Sequence, residues 1–115
     1  MATVGTYNIP NHIKGDTFKD LQFTITLNDV TLDLTGYTIE CKFRKGSKNG
    51  LQILSIDSVS GITITDAVSG IFKIDAFTCD WAVDTYYYDI EFTDGSGVID
   101  TYIEGRMKVV QDVTY

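Results

Sequence analysis

Between Leu21 and Phe43 (LQFTITLNDVTLDLTGYTIECKF) apolar residues recur at every second position through three successive segments. A helical face would space them by three and four, whereas a period of two is the pleat of a half-buried strand. Leu21, Phe23, Ile25 and Leu27 share one face, and Gln22, Thr24 and Thr26 the other. Asn28 and Asp29 both tolerate the positive φ that a two-residue hairpin turn requires. Closing the chain there sets Leu27 opposite Val30, Ile25 opposite Leu32 and Phe23 opposite Leu34, with all six on one face. A second turn at Thr35-Gly36 leads into Ile39, Cys41 and Phe43, which alternate with Thr38, Glu40, Lys42 and Arg44.

The same rhythm continues along the chain. After the polar loop RKGSKNG (44–50), Leu51 and Ile53 read as inward, followed by Ile62 and Ile64. The turn TDAVSG (65–70) closes on Gly70, and Phe72 and Ile74 then point in with Lys73 and Asp75 out. AFTCDWAVDT (76–85) reads as a helical turn or a crossover, with Phe77, Trp81 and Val83 plugging one end of the core. Alternation is strongest at Tyr86, Tyr88, Ile90 and Phe92, and the hairpin DGSG (94–97) follows. In Val98–Glu104 either Ile99 and Ile103 or Val98 and Tyr102 face inward. Gly105 marks a bulge, and Met107 to Val113 forms the last strand. Altogether about eight or nine short strands point to an all-β fold, an antiparallel sandwich or barrel. Residues 1–14 are expected to be an extended arm or edge strand, with Val4, Ile9 and Pro10 the residues of note, and 15–115 a single β-sandwich domain.

With 115 residues, a chain like this can bury a core without metal or disulfide. Seven Tyr, six Phe and one Pro suit a pleated sheet. A net charge of −7 repels phosphate backbones and anionic membrane surfaces, so neither nucleic acid nor membrane is an expected partner. No apolar run reaches the roughly 18 residues of a membrane helix, and the N-terminus shows no secretory pattern. Cys41 sits among core positions, and Cys41 and Cys79 are expected to be free thiols.

Catalytic chemistry is not expected. His12 is the single histidine and reads as solvated or turn-satisfied rather than catalytic. Asp16, Asp29, Asp66, Asp94 and Asp112 each start or flank a turn, where the carboxylate bonds local backbone. DGSG lacks the repeated ligands of a calcium loop. No enzyme, cofactor or metal site is therefore expected. The candidate protein-contact residues are Tyr87, outward-facing among acidic neighbours, and Tyr7 and Tyr115 near the ends, because tyrosine is enriched in interfaces. Trp81 reads as a core plug; the alternative is a sugar-stacking platform, which would make the chain a carbohydrate-binding module.

Three segments carry a family resemblance: FTITLNDVTLDLTGYTIECKFRK (23–45), GITITDAVSGIFKID (61–75) and TYYYDIEFTDGSGVIDTYIEGRMKVVQDVT (85–114). A hairpin ending in Asp-Leu-Thr-Gly, an Ile-Thr-Asp-Ala turn with a following Gly, and a tyrosine-rich strand before an Asp-Gly hairpin resemble small immunoglobulin-like structural domains of tailed bacteriophages. The pattern is similar to the N-terminal domain of phage upper baseplate proteins. The resemblance implies an immunoglobulin-like β-sandwich and a non-enzymatic virion structural role, as a baseplate or tail accessory or a head decoration. It implies contacts with other virion structural proteins, a homo-oligomer, and residence in the virion after a period in the host cytoplasm.

Overall fold

A computed structural model describes residues 5–111. Along the chain these form β1 (Gly5–Thr6), β2 (Ile9–Ile13), β3 (Thr17–Phe18), β4 (Leu21–Thr24), β5 (Thr26–Leu27), β6 (Val30–Thr31) and β7 (Thr38–Lys45). They continue as β8 (Leu51–Asp57), β9 (Ile62–Asp66), β10 (Ile71–Ile74), β11 (Phe77–Thr78), β12 (Asp84–Thr93) and β13 (Ile99–Val110). The described chain is all-β, in more strands than the sequence suggests; several hold only two residues, while the two strands expected on either side of Gly105 are one, β13. The expectations at Val4, Asp112, Val113 and Tyr115 lie outside the described residues.

Two layers form the body. One is a six-stranded sheet in the order β1-β13-β12-β7-β8, with β2 also paired to β13. The other is the sheet β4-β10-β9. Pairing is antiparallel except where β1 and β2 run parallel to β13. Pro10 falls at the register shift in β2, on the outermost strand, where its missing N–H costs no ladder bond. The layers meet through an aromatic file. Tyr7 packs edge-on to Phe23, Phe23 stacks on Phe72, and Phe72 meets Phe92 across the sandwich with ring centres 5.5 Å apart. Ile39, Cys41, Phe43, Tyr86, Tyr88, Ile90 and Phe92 are all buried, as their alternation requires. Both cysteines are buried free thiols.

The Asn28-Asp29 hairpin forms with φ of 53° and 64°, and Leu27 faces Val30. Its arms then part. Gly70, at φ 68°, packs against this pair: its carbonyl accepts from the Ile25 amide at 2.9 Å, and a Cβ there would lie 2.7 Å from the Leu32 carbonyl. β4 consequently pairs with β10, so Phe23 faces Phe72 rather than Leu34. Leu34 is buried elsewhere, its amide donating to the Ala67 carbonyl at 2.7 Å. Val30, at the free tip, is 68% exposed, so the six residues do not share one buried face.

Other departures have similar local causes. Leu51 is 72% exposed at the start of the edge strand β8. Residues 76–85 hold β11 and an irregular crossover with no helical turn, and Val83 is exposed while Phe77 and Trp81 pack on the core. Ile103 faces Ile90 but Thr101 faces Glu91, which makes Tyr102 the extra residue of a bulge. Parity switches there, so Tyr102 is buried, Ile103 is half-buried, and Val98 and Ile99 are both exposed.

Gly105 is not the bulge. It lies in unbroken pairing with Tyr88 inside one continuous strand. Any Cβ there would overlap the Tyr7 carbonyl, which crosses the sheet edge between β1 and β2. The Tyr88 ring covers the vacant side-chain position and its hydroxyl donates to that carbonyl at 2.6 Å. One glycine and one tyrosine thus fasten the N-terminal edge.

Candidate protein-contact face

The inward parity of β7, β12 and β13 leaves the opposite residues on an outer face. Register then sorts them into rows across the strands. Arg44, Tyr87 and Arg106 lie abreast on β7, β12 and β13. Thr85 and Lys108 form the row on one side of them. On the other side come Lys42, Asp89 and Glu104. Beyond that row, Asp57, Glu40, Glu91 and Thr101 span four strands. One end of the face is therefore basic around a tyrosine, and the other carries three neighbouring carboxylates.

The 46–50 loop completes the basic end. Gly46, at φ 82°, turns the chain and donates its amide to the Thr85 carbonyl at 2.9 Å. The Arg44 guanidinium donates to the Gly50 carbonyl at 3.2 Å. Lys48 reaches across β12 to Glu104 on β13, 2.8 Å away. Beneath it lies a cavity of about 60 Å³ bounded by Lys42, Arg44, Lys48, Tyr87, Tyr88, Asp89 and Glu104. That is far below the several hundred Å³ of a typical small-molecule site. Open grooves of about 380 Å³ and 180 Å³ continue toward Asn8 and the N-terminal edge, both reaching Tyr87 and Arg106.

Charge on this face is coupled. Hydrogen bonding to Glu104, then its charge, raises the Lys48 ammonium above its ordinary value. Partial burial raises the Asp89 carboxyl; Lys42 and Arg44 oppose that shift, while Glu104 and Glu40 add to it. The face can hold an extended, mixed-charge partner surface with an aromatic contact at its basic end.

The expected contact tyrosines separate. Tyr87 is half-buried in the middle of the basic row, between two arginines rather than among acids. Tyr7 is 40% exposed but turns its ring the other way, onto Phe23. Its neighbours Thr6 and Asn8, not Tyr7 itself, line the groove beside Tyr87. Tyr115 lies outside the described residues. Arg106, Lys108 and Lys48 are the contributors that sequence reasoning missed. Outward parity marked Arg44, whereas the other three depend on the register past the Tyr102 bulge and on the fold-back of the loop.

The remaining candidates are engaged locally. His12 Nε2 lies 2.8 Å from the Asp16 carbonyl. Asp94 accepts from the amides of Ser96 and Val98, and Asp66 from that of Ser69. Trp81 packs on Phe43, Phe77 and Tyr86, with ring centres 5.3, 5.6 and 4.9 Å away. Among the described residues, no group of three His, Cys, Asp or Glu side chains is placed to hold a metal ion. No helix there is long and apolar enough to cross a membrane. No family model matches the sequence, and no curated protein matches it.

Proposed function

We propose that this chain is a structural protein of a tailed-phage virion, an immunoglobulin-like β-sandwich that binds neighbouring virion proteins through the outer face of its six-stranded sheet. The carrying observation is Tyr87 held between Arg44 and Arg106 in a protein of net charge −7. Tyrosine and arginine are the residue types that dominate interface hot spots. A concentrated basic row in an acidic protein also steers acidic partners to one place. The virion setting rests on the resemblance of residues 23–45, 61–75 and 85–114 to phage structural domains. The carbohydrate-binding reading has less support, because the Trp81 ring is occupied by three aromatic neighbours.

The test is capture of virion proteins by immobilised wild type and by Tyr87→Ala and Arg106→Ala. Each variant is expected to keep its far-UV dichroism and to lose affinity by about tenfold or more, as hot-spot truncations do. Equal capture by all three proteins, or no capture by wild type at low salt, would refute the assignment.

A further inference from the structure

The loop that completes the basic end also holds the pair Asn49-Gly50. An asparagine side chain in water is open to attack on its carbonyl carbon by the backbone nitrogen of the next residue. A Cβ on that next residue shields the nitrogen, and glycine leaves it most accessible. The four asparagines of this chain precede Ile9, His12, Asp29 and Gly50, so only Asn49 has the open neighbour. Its side chain is exposed and makes no hydrogen bond among the described residues; only its backbone amide is engaged, by the Ser47 hydroxyl at 3.3 Å. Asp94-Gly95 is the comparable aspartyl pair, but the Ser96 and Val98 amides donate to the Asp94 carboxylate and favour its ionised form, a poor electrophile. Gly50 is not interchangeable. A Cβ there would lie 1.9 Å from the Lys45 carbonyl oxygen, so the turn itself requires the residue that leaves Asn49 open to attack. One restraint opposes the reaction, because the Gly50 amide donates to the Ser47 carbonyl at 3.0 Å. Local opening of the turn, the low-cost motion of an exposed loop, frees that nitrogen.

We propose that Asn49 is a self-modification site, whose conversion places a negative charge at the basic end of the contact face. The Gly50 nitrogen loses its proton and bonds to the Asn49 side-chain carbonyl carbon. The bond from that carbon to the side-chain nitrogen breaks, and ammonia leaves carrying a proton. Water then opens the five-membered imide at either carbonyl, giving aspartate or an isoaspartate whose main chain runs through the former side chain. Both products set a carboxylate next in sequence to Lys48, whose ammonium lies 2.8 Å from Glu104. The isoaspartate also lengthens the main chain by one carbon immediately before Gly50, whose carbonyl accepts from Arg44 at 3.2 Å. The modification stands on the loop alone; its effect on binding rests on the reading of the outer face as a contact surface.

Peptide mapping by mass spectrometry, with isoaspartyl methyltransferase labelling, tests it on folded protein aged in mildly acidic and mildly alkaline buffer. The amide-to-acid mass change is expected in the peptide that holds Asn49, faster in alkali because the attacking nitrogen must lose its proton. Asn49→Gln, which keeps a neutral amide on a longer side chain, should stay unmodified there. A folded chain that remains intact at Asn49 while the urea-denatured chain converts would overturn the proposal, as would conversion spread evenly over Asn8, Asn11, Asn28 and Asn49. Capture of virion proteins reads the consequence. Asn49→Asp is expected to bind about two- to fivefold more weakly than wild type, the range of one exposed charge contact, and Asn49→Gln to bind equally well. Equal capture by Asn49→Asp, with Tyr87→Ala still impaired, would remove the effect on binding alone. Conversion at Asn49 in a wild type that captures nothing would uphold the modification and refute the contact face.

Discussion

Tyr86 and Tyr87 are neighbours in sequence and identical in chemistry, yet they serve opposite ends. Tyr86 is buried beside Trp81, its hydroxyl donating to the Ala82 carbonyl at 2.6 Å, whereas Tyr87 stands on the outer face between two arginines. The pleat makes this division along all of β12: Tyr86, Tyr88, Ile90 and Phe92 fill the core, while Tyr87, Asp89 and Glu91 meet solvent or a partner. Residue type therefore says little about role in such a strand; parity and register say nearly everything. Substitutions on the inner side should be read in stability, and those on the outer side in association.

The sharpest way to break that contrast is Phe92→Ala. Phe92 is fully buried and bridges the layers through Phe72, so its truncation is expected to cost about 3–5 kcal/mol in urea unfolding. Tyr87→Ala should stay within about 0.5 kcal/mol of wild type in the same experiment; comparable losses would erase the distinction. Gly105→Ala comes next, at about 1–3 kcal/mol, the usual cost of forcing atoms into an occupied site. Its signature should be local: hydrogen exchange rises over residues 5–13 while the centre of β12 stays protected. Tyr88→Phe keeps the buried ring and removes only the bond to the Tyr7 carbonyl, which is worth about 1 kcal/mol. Loosening of the same edge should accompany it, and an unchanged exchange pattern would show that the edge is held by other contacts.

The smallest effect tests the outer face. Because the folded Asp89 carboxyl titrates above its ordinary value, the fold disfavours its ionised form. The penalty is present above the folded pKa and vanishes as pH falls below the unfolded one. Asp89→Asn is therefore expected to be slightly stabilising at neutral pH, with the gain disappearing on acidification through the carboxylate range. A gain that persisted in acid would point to packing rather than charge.

Much of the core was legible in advance. Ile39, Cys41 and Phe43, and Tyr86 through Phe92, are buried as alternation demands, because a half-buried strand writes its own orientation into its sequence. The Asn28-Asp29 and Asp94–Gly97 turns were legible for a local reason too, since their backbone and side-chain bonds stay within a few residues. What escaped depends on distant neighbours. Gly70 docks on the base of the first hairpin, and Gly105 yields to Tyr7, but a glycine does not announce which backbone will approach it. The Tyr102 bulge inverts parity without any composition signal. Of the basic end of the contact face, only Tyr87 and the outward Arg44 were legible, because Arg106, Lys108 and Lys48 reach it through a register and a loop path that no local window contains.

The parallel seating of β1 and β2 against β13 reaches into how the chain acquires its shape. Gly5 finds Ile103 and Ile9 finds Met107, so the first described strands must wait for almost the whole sequence to be synthesised before they have anything to zip onto. Such remote closure slows folding. Until it happens, the flank of β13 is an open ladder that another extended segment could occupy.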